Sequence, residues 1–514
     1  MNNNHVVMVY PRLGFSGSYV QHMPLGLLYA SSEIVKHDYE VSLLDTRLVG
    51  SDWPTALADQ ITDETLCVGI SVMSGTPIHH AIEIGRHVKA IAPHVAVVWG
   101  GPHATFYPDT ILRDEWSCDY VISGYAAKPF HQLCDALRLE TDLANVGGLV
   151  WRNGSTIQIN PPTENKFEII DHRDIPYDLI EDFDAYGQLG QQKRIFSMYS
   201  AVGCPYKCSF CSSPAQYKPI EGKKWIPIEV EKVADHVQYV VEEYGADYVY
   251  FIDDDSFPSL KNVEALMDEI KSRNLDVGLG FRGARINEIL RMSDEFLEKL
   301  VSAGTDIMHI GAESGSNPML ELIRKDCTVD DIIEANRKLA RHPKITAAYN
   351  IIMGLPTETL DDIKKTRDLI FQLVEDNPNC IIFQPNKFRP LPGTELYDLA
   401  AKEWGYQMPD TLEAWAGIEV EADNGYAWHD PAISRFCNLM LVSSYFVDNK
   451  IKKLQTGNQL LYRFARVANF LYGPIARFRL RHGLDRAYFE WWLYQYFTHL
   501  FSKMTLPAGA AGER

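Results

Sequence analysis

The sequence has 514 residues, enough for about three domains of ordinary size. Hydrophobic residues make up 46% and charged residues 23%, which is typical of a globular protein with a large core. The formal net charge of −19 argues against a nucleic-acid backbone as the main partner, because phosphate binding needs clustered Lys and Arg.

Residues 1–140 predict an α/β domain with a parallel sheet. Segments with helical apolar spacing separate five short apolar, β-branched runs. Strands that alternate with amphipathic helices indicate a sheet covered on both faces. The predicted strands are 5–10, 40–45, 66–73, 95–99 and 119–123.

Ligands of such a sheet bind beyond the carboxyl ends of its strands. Four segments lie there, at 11–17, 71–76, 100–105 and 124–125, and they contain many small residues. Small residues let a large flat ligand approach the backbone closely. On the fold alone two other interpretations stay open: the glycines serve only tight turns, or the ligand is a nucleotide or a flavin.

Residues 141–192 are predicted to connect this domain to the next one. The segment 147–160 alternates apolar and polar residues around Asn153-Gly154, which indicates a β-hairpin. We interpret the acidic, aromatic stretch that follows as an ordered linker without a catalytic role.

Three of the nine cysteines lie within eight residues, in the motif Cys204-x3-Cys208-x2-Cys211. Three thiolates on one loop can bind three irons of a cubic iron–sulfur cluster, which leaves the fourth iron open for chemistry. A zinc site with a distant fourth ligand is the alternative, but zinc loops usually carry two Cys pairs, or Cys with His, and neither pattern is present.

The other six cysteines are scattered and are expected to be small buried residues. No charged segment followed by a long apolar run begins the chain, and no 18-residue apolar span is found. The sequence therefore predicts a cytoplasmic protein, whose thiols stay reduced. The six scattered residues are Cys67, Cys118, Cys134, Cys327, Cys380 and Cys437.

The cysteine motif, with Phe210 before its last cysteine, resembles the signature of the radical SAM enzymes. The resemblance implies that Cys204, Cys208 and Cys211 bind a [4Fe-4S] cluster and that S-adenosylmethionine (SAM) chelates the fourth iron. It implies that one electron from the cluster cleaves SAM to methionine and a 5'-deoxyadenosyl radical. Phe210 and the backbone beside it would pack against the adenine.

Residues 193–400 predict six strand–helix units, which match the partial barrel usual in this family. Function is expected at the carboxyl ends of the strands. Because side chains alternate along a strand, some residues are candidates to face the barrel lumen. The alternative is that these side chains only pack in the core. The predicted strands are 194–202, 247–253, 277–282, 306–311, 346–353 and 380–388, and the lumen candidates are Tyr199, Tyr349, Asn350, Gln384 and Lys387.

The resemblance places SAM contacts after several of these strands. Asp253 and Asp254 follow the second strand, where capping of the next helix or binding of a divalent metal are the alternatives. Arg285, after the third strand, is the candidate for the SAM carboxylate, because a guanidinium holds a carboxylate in a bidentate fork. A surface salt bridge is the alternative for Arg285. Glu313 would bind the SAM amino group or the ribose.

Two family-like turns complete the predicted SAM site. Ser314 belongs to the Gly-x-Glu-Ser turn after the fourth strand. Gly354 begins a Gly-Leu-Pro-x-Glu-Thr turn after the fifth strand and would let the backbone approach the adenosine. We interpret Glu358, in the same turn, as a helix cap rather than a chemical group.

An α/β domain that precedes such a barrel resembles the cobalamin-binding domain of the B12-dependent radical SAM enzymes. Gly100-Gly101-Pro102-His103 matches the family's glycine-rich turn after the fourth strand, and the loop at 71–74 lies where the family's serine-containing loop meets the corrin. The predicted cobalamin-binding residues are Pro11, Leu13, Ser71, Met73, Ser74, Thr76, Gly100, Gly101, Pro102, His103 and Tyr125.

Two segments depart from the family pattern. The loop at 11–18 has no Asp-x-His-x-x-Gly motif, which implies a lower face of cobalt without a protein histidine, an arrangement that suits methyl transfer. The turn at 124–128 lacks the acidic pair that many relatives carry. We interpret the nearby histidines as surface or loop residues rather than cobalt ligands, namely His22, His79, His80 and His103.

Residues 401–514 predict a mostly helical cap that is rich in aromatics, with a cluster of arginines between 463 and 486. We favour a bundle whose aromatics fill its core and whose arginines pair with the surplus acidic residues. The alternative is a domain that closes over an anionic or lipid-like substrate, or that contacts a membrane surface.

The resemblance as a whole implies a B12-dependent radical SAM methylase that uses SAM twice, once to methylate cobalamin and once to form the radical. The methyl acceptor would be an unactivated carbon of a small molecule or natural product. The expected partners are that substrate and a reductant such as flavodoxin or ferredoxin, with no nucleic acid. We expect a monomer.

Two alternatives remain. The same cofactors support radical cyclisation, ring rearrangement or oxidation, in which S-adenosylhomocysteine would not form in step with product. A non-enzymatic cobalamin or iron–sulfur sensor would need neither Glu313 nor the Gly-Leu-Pro-x-Glu-Thr turn. Methylthiolation of tRNA or protein is disfavoured, because that group has a different N-terminal domain, further cysteines and a basic RNA-binding tail.

Overall fold

The structure is a computed structural model that describes residues 4–13, 22–162, 164, 166–186, 194–418, 426, 428, 430–450, 459–486, 490–492 and 496. Every structural statement below concerns these residues. Two sheets organise them, and each collects loops at the carboxyl ends of parallel strands.

The first sheet has seven strands, and its first five are parallel, as predicted. Their order follows from βαβ connections that place helices on both faces. The strands are β1 (His5–Tyr10), β2 (Glu40–Asp45), β3 (Thr65–Ser71), β4 (Ala96–Gly100), β5 (Tyr120–Ile122), β6 (Leu149–Asn153) and β7 (Thr156–Ile159), in the spatial order β2-β1-β3-β4-β5-β6-β7.

Both faces of this sheet are buried, which explains its continuous apolar strands. Along β1, Val7 and Val9 belong to one core cluster, whereas Val6 and Met8 belong to another on the opposite face. The covering helices are α1 (Leu25–Lys36), α2 (Thr46–Val49), α3 (Trp53–Gln60), α4 (Pro77–Ile91), α5 (Pro102–Phe106), α6 (Pro108–Asp114) and α7 (Ala127–Leu139).

The predicted hairpin around Asn153-Gly154 is confirmed, and it extends the first sheet. β6 pairs antiparallel with β5, and β7 pairs antiparallel with β6. The α/β unit therefore continues to Ile159. After it come three short 3-10 turns, His172–Asp174, Tyr177–Leu179 and Phe183–Ala185.

The second sheet is parallel throughout and contains the six predicted strand–helix units. The first predicted strand is divided, because the chain leaves the sheet after Met198 and forms a two-stranded antiparallel ribbon. The sheet strands, in spatial order, are β15 (Cys380–Ile382), β14 (Thr346–Met353), β13 (Thr305–Glu313), β12 (Gly278–Ala284), β11 (Tyr248–Phe251) and β8 (Ile195–Met198). Beside them lie the ribbon, β9 (Ala201–Gly203) with β10 (Trp225–Pro227), and β16 (Asn386–Lys387), which pairs with β14.

The long helices of the second unit bury their apolar faces in one core cluster with the strands of this sheet. Several begin with a Ser or Thr cap, as at Thr328 and Thr359, where a capping box is complete. The helices are α8 (Ser212–Gln216), α9 (Val230–Tyr244), α10 (Leu260–Ser272), α11 (Ile286–Arg291), α12 (Asp294–Ser302), α13 (Asn317–Leu322), α14 (Val329–Ala340), α15 (Leu360–Asp376) and α16 (Glu395–Glu403).

The C-terminal helices divide their packing between the two units. Trp415 of α17 (Leu412–Ala416) is buried in a core cluster of the first sheet, whereas Phe436 of α18 (Pro431–Ser443) is buried in that of the second. A short 3-10 turn, Ser444–Phe446, follows α18, and α19 (Gln459–His482) comes after it.

The favoured interpretation of the arginine cluster is supported for two of its members, because Arg479 pairs with Glu490 and Arg481 with Glu375. One face of α19 is not covered, however. Phe470 on that face is 80% exposed and Leu471 is 64% exposed. Across the described residues, every helix is too short or too polar to traverse a bilayer.

Candidate functional site

The cysteine motif forms a loop between β9 and α8, at the carboxyl end of the first strand of the second sheet. Gly203 enters the loop with φ +83°, and a side chain there would collide with Lys224 O. Ser209 fastens the loop's middle, since its N–H donates to Ile323 O (3.1 Å) and its Oγ donates to Leu322 O (2.9 Å). The loop is therefore constrained at its start and held by hydrogen bonds at its centre.

The three motif thiols are half-buried and unbridged. Burial raises the pKa of Cys204 and of Cys211. Among the described residues no three His, Cys, Asp or Glu side chains converge as ligands of a single ion would. Phe210 packs against the barrel core beside the motif thiols.

The Arg285 side chain contacts the cysteine loop and the segment packed beside it. Its Nη1 donates to Cys208 Sγ (2.9 Å), its Nη2 donates to Lys325 O (2.5 Å), and its guanidinium lies 3.9 Å above the Tyr206 ring. The side chain is almost fully buried, and its Nη2 also lies 3.5 Å from the exposed carboxylate of Asp326, so the salt-bridge alternative stays open. Arg285 Nε is buried without an acceptor. An orphan donor beside Cys208 fits a group with further acceptor atoms, as a sulfide-containing cluster has.

Lys325 is the functional candidate that sequence reasoning missed. Its Nζ lies 2.8 Å from Glu313 Oε1, and both side chains are buried. Burial lowers the pKa of Lys325, but the Glu313 and Cys208 charges outweigh this and raise it overall. Glu313 has φ +64°, a left-handed conformation that turns its side chain toward Lys325. Nothing in the sequence around Lys325 distinguishes it from a surface lysine.

The two aspartates after β11 both support the cysteine loop. The buried carboxylate of Asp253 accepts hydrogen bonds from Ser200 N (2.7 Å), Ser200 Oγ (2.5 Å) and Ala201 N (3.1 Å), and burial raises its pKa to about 6. Asp254 accepts from Ser213 Oγ (2.9 Å) and from the Tyr217 hydroxyl, both in or next to α8. SAM contacts for these aspartates stay predictions.

The Gly354 turn is held from inside by Glu358. Its Oε2 accepts hydrogen bonds from Gly354 N (2.5 Å) and Leu355 N (3.0 Å), and Gly354 has φ +73°. The helix-cap interpretation of Glu358 is wrong, because Thr359 and Asp362 cap α15. Burial raises the pKa of Glu358 to about 7. Its other oxygen, Oε1, is buried without a partner.

Ser314 is fully buried and faces α15 rather than the mouth of the barrel. Its Oγ lies 3.3 Å from Thr366 Oγ1 and accepts a hydrogen bond from Ser316 N (3.2 Å). Of the lumen candidates, Tyr349 is wrong, since its side chain is fully buried and its hydroxyl donates to Asn336 of α14 (3.2 Å).

At the first sheet, the ends of β3 and β4 are locked together. Val72 N donates to Gly100 O (2.8 Å), and His103 N donates to Val72 O (3.0 Å). Gly101 has φ +95°, and a Cβ there would lie 2.9 Å from Val72 N and 3.1 Å from Ser71 Oγ. At Gly100 a Cβ would meet nothing within 4 Å. Gly101 therefore requires glycine for its backbone conformation, whereas Gly100 presents an open surface.

His103 is not a surface residue. Its ring is fully buried between Tyr107 and Trp415, and its Nδ1 lies 2.9 Å from Ser74 Oγ. Burial lowers its pKa to about 4, so the ring is neutral at pH 7. The imidazole can orient Ser74 but does not reach solvent. His80 is buried as well, which corrects the same expectation there.

The other predicted cobalamin contacts surround this edge with different exposures. Met73 and Tyr125 are 37% and 42% exposed. Pro102 is exposed and Pro11 is buried, whereas Leu13 and Thr76 are half-buried. Residues 14–17 of the first loop lie outside the described residues.

The two edges face each other. A Cβ on Gly393 would lie 2.8 Å from Phe106 Cε1, at the end of α5, and 3.2 Å from Ala215 Cβ, in α8. α5 begins at the Gly100-Gly101 turn and α8 begins at Cys211, so one turn contacts the helices of both motifs. The Tyr107 hydroxyl also lies 3.4 Å from the Tyr397 hydroxyl. The glycine turn and the cysteine loop therefore share one region of the molecule.

Comparisons with known families agree with this division. The model of the B12 binding domain matches residues 15–134, and the model of the Radical SAM superfamily matches residues 198–370. The chain belongs to the cobalamin-dependent radical SAM enzymes. In this family's terms, the first sheet is the B12-binding domain and the second sheet is the radical SAM domain.

Curated relatives of this radical SAM protein cover most of its length at low identity. An uncharacterised methyltransferase of Pyrococcus horikoshii is 28% identical over 73% of this chain and 78% of its own. The anaerobic magnesium-protoporphyrin IX monomethyl ester cyclase of Rubrivivax gelatinosus is 24% identical over 65% of this chain and 60% of its own. The hopanoid C-3 methylase of Methylococcus capsulatus is 22% identical over 77% of this chain and 73% of its own.

Solved structures show the same fold. The cobalamin-dependent radical SAM enzyme OxsB, with aqua-cobalamin and SAM bound, superimposes with a TM-score of 0.68 at 16% identity, over 97% of this chain and 75% of its own. The radical SAM methyltransferase TsrM of Kitasatospora setae, with cobalamin and a [4Fe-4S] cluster bound, gives a TM-score of 0.64 at 17% identity, over 90% of this chain and 99% of its own.

Proposed function

We propose that this protein is a cobalamin-dependent radical SAM methyltransferase that methylates a carbon atom of a small molecule. The observation that carries the proposal is the meeting of the two motif helices, α5 and α8, on either side of Gly393. Methyl transfer from one cofactor to a substrate activated by another requires that both cofactors reach one chamber. The names of the Pyrococcus, Methylococcus and Kitasatospora proteins favour methylation over cyclisation.

When bound, the cluster with SAM would supply a radical that takes a hydrogen atom, and cobalamin would supply the methyl group. In this proposal Cys204, Cys208 and Cys211 hold the cluster, and Arg285 donates to the Cys208 sulfur. The lysine of the Lys325–Glu313 pair adds positive charge near the same sulfur.

The other predicted site residues are proposed to bind the cofactors and to exclude water from them. Gly354 and Glu313 are proposed to contact SAM, with Glu358 holding the backbone of the Gly354 turn in place. Gly100, Gly101 and Ser71 are proposed to lie against the corrin, and the buried His103 orients Ser74. These residues position the cofactors and exclude water, while the cofactors supply the reactivity.

The proposed partners are a small-molecule substrate and a one-electron reductant such as flavodoxin or ferredoxin. The proposed oligomeric state is a monomer, and the proposed location is the cytoplasm. The reductant enters because cleavage of SAM at the cluster consumes one electron, which the described residues do not themselves supply.

Anaerobic reconstitution with iron, sulfide and hydroxocobalamin, followed by spectra and product analysis, tests the proposal. We expect cluster absorption, bound cobalamin and 5'-deoxyadenosine formation from SAM in the wild-type protein. Cys208→Ala should lose both the cluster absorption and 5'-deoxyadenosine. Cys327→Ala is the matched control, since Cys327 is a half-buried cysteine outside the motif, and it should keep both.

With a substrate in hand, a methylase yields S-adenosylhomocysteine in step with product, whereas a cyclase or an oxidase does not. If Cys208→Ala cleaves SAM as fast as the wild-type protein, the assignment of Cys208 as a cluster ligand is wrong. If the cluster and cobalamin load normally but no methylated product forms together with S-adenosylhomocysteine, the family assignment stands and the methyltransferase proposal is rejected.

A further inference from the structure

The lumen of the radical SAM barrel is covered by the start of α1 from the B12-binding domain. His22, three residues before α1, stacks on Tyr250 of β11 at a centroid distance of 5.4 Å, and its Nδ1 lies 2.9 Å from Ser197 Oγ of β8. Tyr29 of α1 packs edge-on against Tyr199 at 5.9 Å. The B12-binding domain therefore packs directly on the lumen face of the first two barrel strands.

A row of rings crosses the lumen face of the barrel strands. The Tyr250 ring meets that of His309 on β13 at 5.4 Å, and His309 meets Phe383 at 4.6 Å. β12 runs between β11 and β13 and contributes Gly280, where a Cβ would lie 2.6 Å from Tyr250 Cδ2 and 2.9 Å from Ile307 Cγ2. The rings can approach each other because the intervening strand has no side chain at that point.

Arg282 is the next residue of β12 on the same face as Gly280, since side chains alternate along a strand. Its side chain is exposed. Within the part of the chain that the structure describes, Arg282 forms no ion pair. The two nearest acidic residues along the neighbouring strand, Asp253 and Asp254, direct their carboxylates to Ser200 and to α8 instead.

The groups around Arg282 leave its charge uncompensated. Burial, and after it the charge of Arg282, lowers the pKa of His22 to about 4 and that of His309 to about 3, so both rings are neutral at pH 7. Arg47, which donates to His22 O, is already paired with Asp45 at 2.6 Å. A single positive charge thus stands beside a flat, neutral wall in a protein of net charge −19.

We infer that the barrel lumen beside Arg282 binds a substrate that carries an anionic group next to an aromatic or similarly flat apolar part, and that Arg282 binds the anion. The inference rests on the proposed function, because it assigns the substrate to the space between the two cofactor domains. A guanidinium pairs well with either a carboxylate or a phosphonate, so both belong to the inferred class. The half-buried ring of His309 would contact the flat part.

Calorimetry with three probes tests the inference on the reconstituted enzyme. The probes are 4-phenylbutyrate, 4-phenylbutylphosphonate and the neutral 4-phenylbutanamide, which differ in charge and head group. We expect at least one anion to bind about tenfold more tightly than the amide, the factor that a charge-assisted hydrogen bond supplies. The better of the two anions distinguishes a carboxylate substrate from a phosphonate substrate.

Arg282→Gln should remove the preference for the anion, and Arg282→Lys should keep part of it. Arg337→Gln, at an exposed arginine paired with Asp376 on the outside of the barrel, is the matched control and should keep the full preference. SAM affinity, measured in the same preparations, should stay at the wild-type value in Arg282→Gln.

Three results would overturn the inference: no binding of either anion up to millimolar concentration, equal binding of the anions and the amide, or loss of SAM affinity in Arg282→Gln with the anion preference intact. The last would make Arg282 a SAM ligand. None of these results touches cluster assembly or SAM cleavage by the wild-type enzyme, so failure of the inference is distinguishable from failure of the proposed function.

Discussion

At the glycine turn of the first sheet, Gly101 lies against Val72 and leaves an open surface at Gly100. The buried Asp45–Arg47 ion pair of this sheet lies apart from the turn, at the end of β2. At the ligand edge of the second sheet, Arg285, Lys325 and Glu313 are buried charges packed around one cysteine loop. The first edge is shaped by the backbone for a large flat ligand. The second edge is shaped by charge, as a site that binds sulfur and a charged cosubstrate requires. Substitutions at the first edge should therefore act through steric clash, and those at the second edge through loss of charge interactions.

The largest effect is expected at Lys325. Lys325→Met leaves the Glu313 carboxylate buried without its partner, which should cost about 3–5 kcal/mol of the free energy of unfolding. Urea denaturation followed by circular dichroism measures it. The double variant Lys325→Met/Glu313→Leu removes both charges and should recover most of that loss. A single variant as stable as the wild type would show that the edge does not depend on this pair.

A pH effect of about 3 kcal/mol is expected from Glu358, whose pKa is raised by burial to about 7 from an ordinary value of 4.5. The folded protein holds the proton more tightly, so the stabilisation is complete below pH 4.5 and is lost as the pH rises toward 7. Comparing urea midpoints at pH 5 and pH 7.5 tests this. Glu358→Gln keeps an acceptor for Gly354 N and should flatten this part of the pH dependence, whereas an unaltered slope would contradict the assignment.

At the first edge, Gly101→Ala should cost about 1–3 kcal/mol, because φ +95° is open essentially to glycine alone and the new Cβ meets Val72. Gly100→Ala is the matched variant, since its Cβ meets nothing within 4 Å. It should keep its melting temperature yet weaken cobalamin binding, measured by absorbance after gel filtration. If both variants melt alike, backbone shape does not define this edge.

The smallest effect is expected from Arg285→Gln. Loss of one charge-assisted hydrogen bond to Cys208, worth about 1.5 kcal/mol, corresponds to a shift of about 60 mV toward more negative potential for a one-electron cluster. A redox titration monitored by electron paramagnetic resonance measures the midpoint. Arg285→Lys should shift it less. If Arg285→Gln keeps the wild-type midpoint potential but loses affinity for SAM, Arg285 binds the SAM carboxylate, as the sequence predicted.

Much of the fold was predictable because its signals are local. Continuous apolar strands such as β1 and β14 follow from burial on both faces, and the hairpin at Asn153-Gly154 follows from turn chemistry. The path after Met198 was not predictable, since it depends on the antiparallel pairing of Ala201–Gly203 with Trp225–Pro227. That pairing is decided by residues more than twenty positions apart.

By itself, the sequence determined the cysteine loop, the glycine turn and the order of the two domains, because each is a spacing of residues along the chain. Only the tertiary structure decided that Arg285 points at Cys208, that Lys325 partners Glu313, and that Arg282 stands beside His309 without an acid. Each of these depends on which side chains distant segments bring together. A buried charge is recognisable only once its neighbours are known, because burial and pairing belong to the folded state.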